Sequence, residues 1–288
     1  MGRPDGTLAK VGDSNYFLFP HVLKYRYDAQ NMITVDLPVE PMKQYMNEKR
    51  KEGKSISYLG LVMAAYTRAA AKYPLLNRFV VNEKIYDRNC FCASMVVLRP
   101  GSSTDVFSKV YFEPENDTIF DIQQKIEDYV TASRDSASET GLDKIVNFIV
   151  RRGALAKFFV NLILFLDKHG ILPKALIDAL PFHASFLITN LASIRTNHIY
   201  HHLYEFGTTS VGIAMGNMRD IPHQTKNGIE LERCIPLGVV MDERICSGHY
   251  FANVFAYVSK MLADPHRMEI PYTQEVEEEA AAAAAKRS

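Results

Sequence analysis

"LGVVMDERICSGHYFANVFAYVSKMLADP", residues 237–265, decides how the rest of the chain is read. It opens on a continuous apolar run, the mark of a buried strand. From about His249 onward, Phe251, Val254, Phe255, Val258 and Leu262 recur at helical spacing, and Pro265 stops that helix. Between the two lies a short polar turn that carries Asp242, Glu243, Arg244, Cys246, Ser247 and His249. A strand end meeting a helix start aims side chains and backbone N–H groups at one spot, so this turn is a candidate site.

Working outward, the segments alternate between the two periodicities. "EPMKQYMNEKRK" (40–51) and "SISYLGLVMAAYTRAAAKYP" (55–74) read as helices, the second opened by Ser and stopped by Pro74. "FVVNEKIYDR" reads as a hairpin turning at Asn82–Glu83, and "CFCASMVVL" (90–98) and "DVFSKVYF" (105–112) read as strands. "DTIFDIQQKIEDYV" (117–130) is helical, and a helical insert covers about 142–180. Strands return over 183–192, 207–218, 228–234 and 235–243, with Asn227–Gly228 as a hairpin turn. "YFLFPHVLKYRY" and "NMITVDL" read as extended, and residues 1–14 as a loose segment. The tail, 266–288, ends in an acidic stretch, six Ala and a basic end; this suits a helix dipole but offers nothing to bury. Strands and helices mixed in this way, with several hairpins, predict an α/β two-layer sandwich: one mixed sheet with helices on a face.

Bulk properties narrow the function classes. With 33 basic and 33 acidic residues the formal charge is zero, and there is no basic stripe, so nucleic acid is not an expected partner. The greasiest stretch, "ALAKFFVNLILFL" (154–166), is broken by Lys157 and Asn161 and is too short to span a bilayer. It reads as a core or subunit-interface helix, with a membrane-surface helix as the alternative. The four cysteines lack zinc-site spacing, and no secretory leader is evident, so a reduced, cytoplasmic setting is expected and no metal site is assigned. Cys90 and Cys92 are expected to pack on one side of their strand.

Three stretches carry a resemblance. These are "GLVMAAYTRAAAKYPLLNRFVVNEKIYDRNCFCASMVV" (60–97), "SFLITNLASI" (185–194) and the opening stretch itself. Together they resemble the trimeric CoA-dependent acyltransferases, the superfamily of chloramphenicol acetyltransferase and the acyltransferase core of the 2-oxoacid dehydrogenase complexes. The likeness covers roughly residues 15–265 and implies a chloramphenicol acetyltransferase-like fold, a homotrimer, CoA or an acyl thioester as substrate, and no covalently bound cofactor. No lipoyl or peripheral-subunit-binding domain accompanies it, so a stand-alone member is expected.

What the resemblance implies about the site is specific. The family's Asp-His-Arg-Xaa-Xaa-Asp-Gly motif supplies a His that takes a proton from the attacking thiol. A hydroxyl in its Ile-Ser-Asn-Leu-Gly segment stabilises the oxyanion, and the site lies at a trimer interface, with the His and much of the acceptor pocket on different subunits. Here Asp242, Arg244 and Gly248 match the motif. Glu243 stands in place of the base His, and Ser247 in place of the second, structural Asp. Thr189 matches the oxyanion hydroxyl, and Ala192 replaces the segment's Gly.

Imidazole titrates near neutrality unaided, and a carboxylate does not, so Glu243 serves as a base only if burial makes it hold its proton. Losing a general base costs about 10²–10⁴ in rate. An inactive or strongly reduced acyltransferase is therefore the leading expectation. The alternatives are an active enzyme with Glu243, His201 or His202 as base and Thr189 as oxyanion donor, and a structural trimer that docks a protein partner or builds a larger assembly. "NHIYHHLYEFG" (197–207) keeps three readings open: interface packing, substitute base, or a metal pair at His198 and His202 sharing a helical face. Cys246 is expected to be packed, and His249 to face away from the site.

Overall fold

The structure is a computed structural model that describes residues 3–12, 14–97, 106–135, 153–226 and 228–285. The first part of the predicted insert, the polar break after 135 and Asn227 lie outside the described residues. In chain order the elements are β1 (Gly6–Leu8), α1 (Ser14–Val22), β2 (Gln30–Pro38), α2 (Val39–Lys51) and α3 (Tyr58–Lys72). Then follow β3 (Arg78–Val81), β4 (Lys84–Arg88), β5 (Phe91–Val97), β6 (Val106–Phe112) and α4 (Ile119–Asp135). The insert gives α5 (Gly153–Lys168) and α6 (Lys174–Ala179). The rest is β7 (Phe186–Asn190), β8 (Val211–Met215), β9 (Arg219–Thr225), β10 (Gly228–Asp242), α7 (Gly248–Ala263) and α8 (Tyr272–Ala285).

The main sheet runs β2-β10-β8-β7-β5-β6, with β9 paired to the first half of β10. It is mixed: β5, β7 and β8 are parallel, and the other pairings are antiparallel. A small sheet, β1-β4-β3, stands apart from it. Side chains alternate across a strand, and this assigns the two faces. Phe186, Ile188, Val211, Ile213, Leu237, Val239 and Met241 point into the helix-covered core. Leu187, Thr189, Gly212, Ala214, Gly238, Val240 and Asp242 take the opposite face, by strand parity and pairing register. The expected two-layer α/β sandwich is the observed one.

The alanines of α3 have a packing reason. Leu61 through Ala70 are buried without interruption, so this helix is enclosed on all sides and small side chains let its neighbours approach. Ser57 caps it by accepting the Gly60 N–H at 2.9 Å, and Gln123 accepts from both the N–H and the hydroxyl of Ser57. Asn82 and Glu83 both have positive φ, 49° and 60°, the backbone that a tight two-residue hairpin requires.

Four expectations change. Residues 14–22, read as extended, form α1 despite Pro20. The N-terminal segment is not loose throughout: β1 pairs with β4, and Arg3 is buried between Asp5 and Asp167, at 2.9 and 2.5 Å. The tail also finds something to bury, since Glu275 on α8 accepts from Arg68 at 3.1 Å and from Arg267 at 2.9 Å. Finally, α5 is not a core helix of this chain. Asp167 is its only buried residue, while Phe158 and Phe165 are 60% and 56% exposed. Asp167 ties the end of α5 to Arg3 and to His183, whose Nε2 lies 3.2 Å away. Burial raises the Asp167 carboxyl, but His183 and Arg3 outweigh it and hold the group below the usual carboxylate range. Among the described residues no helix is long and apolar enough to cross a membrane.

Candidate functional site

The turn after β10 is built around one buried carboxylate. Asp242 is fully buried, and Arg244 donates Nε and Nη2 to its two oxygens at 2.8 and 2.7 Å. The Arg244 backbone N–H adds a third bond at 3.1 Å. The same guanidinium donates to the carbonyls of Leu23 and Lys24, stitching the turn to the chain after α1. A second buried cation, Arg26, places Nε 3.5 Å from Asp242 Oδ2, an ion-pair contact too poorly aligned to be a hydrogen bond. Arg26 also donates to the carbonyls of Tyr204, Gly207 and Val80, and its backbone N–H donates to Glu205. Burial, and then Arg244 beside it, lower the Arg26 guanidinium from the usual arginine range against the pull of Asp242. Asp242 and Arg244 thus fix the shape of the turn, and Arg26, from "KYRY", completes the network.

Glu243 follows this frame and points elsewhere. Its backbone N–H donates to the Ala29 carbonyl at 2.9 Å. Its half-buried carboxylate accepts from Asn31 Nδ2 at 2.5 Å, which places it over the edge strand β2. Ser247 is the N-cap of α7 and accepts the Tyr250 N–H at 3.2 Å, and Gly248 is the first residue of the helix. Cys246 is packed in the core, where burial pushes its thiol up. His249 is exposed, with Nε2 3.1 Å from the side-chain nitrogen of Asn253.

Thr189 lies near the end of β7, half-buried, on the sheet face away from the helices. It pairs with Ala214, and Ala214 pairs with Gly238. From Thr189 to Asp242 is therefore two strand spacings across and four residues along β10, roughly 16 Å. Thr189 and Glu243 of one chain do not share a reacting atom.

The segment 197–207 is not helical, which removes the proposed His198–His202 helical face. It is an extended strap laid lengthwise on the face that carries Thr189. Glycines allow the approach: a Cβ at Gly216 would fall 2.2 Å from the His198 backbone nitrogen, and one at Gly238 2.1 Å from the Ile199 carbonyl oxygen. Thr34 Oγ1 meets His198 Nε2 at 3.2 Å and Tyr200 Oη at 2.6 Å, and Gln30 donates to the Leu203 carbonyl. His201 is half-buried, and its Nδ1 lies 2.9 Å from the His202 carbonyl oxygen. A carbonyl only accepts, so Nδ1 of the neutral ring carries the proton and Nε2 presents its lone pair. His202 is exposed and stacks on His201, with ring centroids 5.0 Å apart, and against Tyr204. The cleft it lines with Leu187, Leu203 and Thr209 holds only about 10 Å³.

Outside this region, Cys90 is exposed and Cys92 buried, so the two do not pack alike. Cys90 beside it, and then the Arg88 charge, pull the Cys92 thiol down against its burial. Arg26, Asn31 and Thr34 are the site-shaping residues with no local sequence signal; each acts on a partner more than 150 positions away.

No protein-family model matches the chain. No curated protein matches it either. Solved structures do match over nearly its whole length. A dihydrolipoamide acetyltransferase from Azotobacter vinelandii is 10% identical at a TM-score of 0.58, covering 91% of this chain and 94% of that one. A probable dihydrolipoamide acetyltransferase from Listeria monocytogenes 4b F2365 is 13% identical at 0.56, covering 90% and 94%. A chloramphenicol acetyltransferase is 12% identical at 0.54, covering 89% and 99%. The chain has the fold these acetyltransferases share, as its three resembling stretches imply.

Proposed function

We propose that this chain, on the fold of the dihydrolipoamide and chloramphenicol acetyltransferases, is a stand-alone acyltransferase-like protein that forms a trimer and has lost ordinary acyl transfer from CoA. One observation carries the reading. Within an intact Asp242–Arg244 frame, the residue at the base position is a carboxylate held by Asn31 on the edge strand. Such a group is an acceptor already engaged, not an imidazole free to take a thiol proton. Ser247, at the position of the motif's second Asp, serves as the N-cap of α7. The separation of roughly 16 Å between Thr189 and the turn suits a site completed by a neighbouring chain rather than one closed within a single subunit. The exposed apolar side of α5 supports assembly with something beyond one chain.

CoA or an acyl thioester is the ligand class this reading assigns to a site that takes in Thr189. Calorimetry with CoA and with acetyl-CoA tests this: binding without thiol release is the expected result. Turnover by the wild-type protein overturns the inactive reading.

A second reading has its own observation. His201 has its Nδ1–H committed to a carbonyl, which leaves Nε2 ready to accept a proton. In that case Nε2 takes the proton of the acceptor thiol, whose sulfur attacks the acyl carbonyl of acyl-CoA while the Thr189 hydroxyl donates to the oxyanion; collapse breaks the C–S bond to CoA, which leaves as a thiolate and takes the proton back from Nε2. Thiol release that is lost in His201→Ala and kept in Glu243→Gln selects this reading; no thiol release from either variant or from wild type excludes it.

A further inference from the structure

Three potential metal donors converge where β9 folds back on β10. Glu232 and Cys234 are two apart on β10 and share a face; His223 comes from β9, whose Ile221 pairs with Glu232. His223 Nε2 lies 2.9 Å from Glu232 Oε2, and the Cys234 Sγ is 4.0 Å from that same oxygen. All three donor atoms lie within 4.8 Å of one another. We propose that His223, Glu232 and Cys234 form a binding site for one borderline divalent transition metal, Zn²⁺ by donor type.

The chemistry follows from the donor set. One imidazole nitrogen, one carboxylate oxygen and one thiolate suit zinc and disfavour Mg²⁺ and Ca²⁺, which take oxygen ligands. Zinc bond lengths of roughly 2.0–2.3 Å put neighbouring donors of a tetrahedral site about 3.3–3.7 Å apart. The observed spacings bracket that range, and rotation of the two half-exposed side chains, His223 and Glu232, closes the difference. Cys234 is the fixed point: it is 1% exposed and sits where β10 pairs with β2 and β9 at once. A metal binds cysteine as the thiolate, and its positive charge would offset the neighbouring Glu232 carboxylate. Of the nearby guanidinium groups, Arg219 is occupied by Asp36 at 2.9 Å, and Arg233 lies 3.7 Å from Asp220.

Three protein donors leave one position of a tetrahedron open. His223 and Glu232 line a cavity of about 460 Å³, bounded also by Val39, Lys43 and Glu230. The fourth ligand is thus a water or a small anion entering from that cavity. The metal would also fasten the β9–β10 hairpin, whose Ile229 and Leu231 are more than 70% exposed, to the edge of the main sheet.

Full-length protein, freed of metal by chelation under reducing conditions, is titrated with Co²⁺ and then with Zn²⁺. One equivalent of Co²⁺ with a thiolate-to-cobalt charge-transfer band, bleached by Zn²⁺, is the expected result. The band is lost in Cys234→Ala and persists when Cys90 and Cys92 are both changed to Ser. Because Cys234 is buried, His223→Ala at an exposed position provides a second arm: at unchanged circular dichroism it weakens Co²⁺ binding by at least ~10-fold. No charge-transfer band in wild type, a band that survives Cys234→Ala, or unchanged affinity in His223→Ala overturns the proposal.

Discussion

The turn after β10 and the strap of residues 197–207 both carry candidate catalytic groups, and they are held in opposite ways. The turn is fixed by charge: a fully buried Asp242 takes two bonds from the Arg244 guanidinium and an ion pair from Arg26. The strap is fixed mainly by shape, lying on β8 and β10 where glycines leave room for its backbone, with Gln30 and Thr34 bonding along it and Arg26 joining its end to the turn. A charge network of this kind tolerates new side chains at its rim, and Glu243 and Ser247 are such rim positions. A backbone laid on glycines tolerates almost nothing beneath it but presents its own side chains freely. The contrast explains how the turn keeps its shape with Glu243 and Ser247 at its rim, and why three histidines can sit together on the strap.

The largest expected effect comes from breaking the charge network. Asp242→Ala leaves two buried guanidinium groups without their carboxylate and costs about 3–5 kcal/mol in urea denaturation. A change below ~1 kcal/mol would mean that the frame is not what holds the turn. Next is the strap. Gly238→Ala puts a methyl against the Ile199 carbonyl and costs about 1–3 kcal/mol, with faster amide exchange over 197–207. Gly212→Ala, where the nearest strap atom is 3.3 Å from the added Cβ, should cost clearly less. If the two glycines respond alike, close packing is not the strap's anchor.

Smaller still is the cap: Ser247→Ala costs about 1 kcal/mol, and Ser247→Asp is near neutral because both residues cap well. A large loss in Ser247→Asp would show that the turn no longer accommodates the side chain of the family motif. Least of all is the acid limb of stability. The Asp167 carboxyl is held low, so its contribution is present above the ordinary carboxylate range and fades as pH falls through its depressed value. Asp167→Asn should flatten that limb without disturbing either the turn or the strap.

The sequence displayed the sheet, most helices and the turn because their signals are local: Ser57 before α3, Asn82–Glu83 in the hairpin, and the apolar run from Leu237 to Met241. The resemblance singled out Glu243 and Ser247 as well, since both stand inside the string that carries it. Other features were hidden. Arg26 reaches Asp242 from 216 positions earlier, and "KYRY" carries no mark of burial. "NYFLFPHV" reads as extended because aromatics and Pro20 favour strands and breaks, yet it folds as α1. The strap has no periodicity of its own; its path is set by Gly216, just past β8, and by Gly238 on β10. His223, Glu232 and Cys234 match no spacing motif, because strand pairing, not sequence distance, brings them together.

Thiol release from acetyl-CoA, with dihydrolipoamide or chloramphenicol offered as acceptor, tests most directly whether the turn has lost its base while keeping its frame. Wild type should run at the uncatalysed rate, and Glu243→His combined with Ser247→Asp should gain on the order of 10²–10⁴-fold. Turnover by wild type that disappears in Glu243→Gln would contradict it outright, because the residue read as a replacement would then be the base.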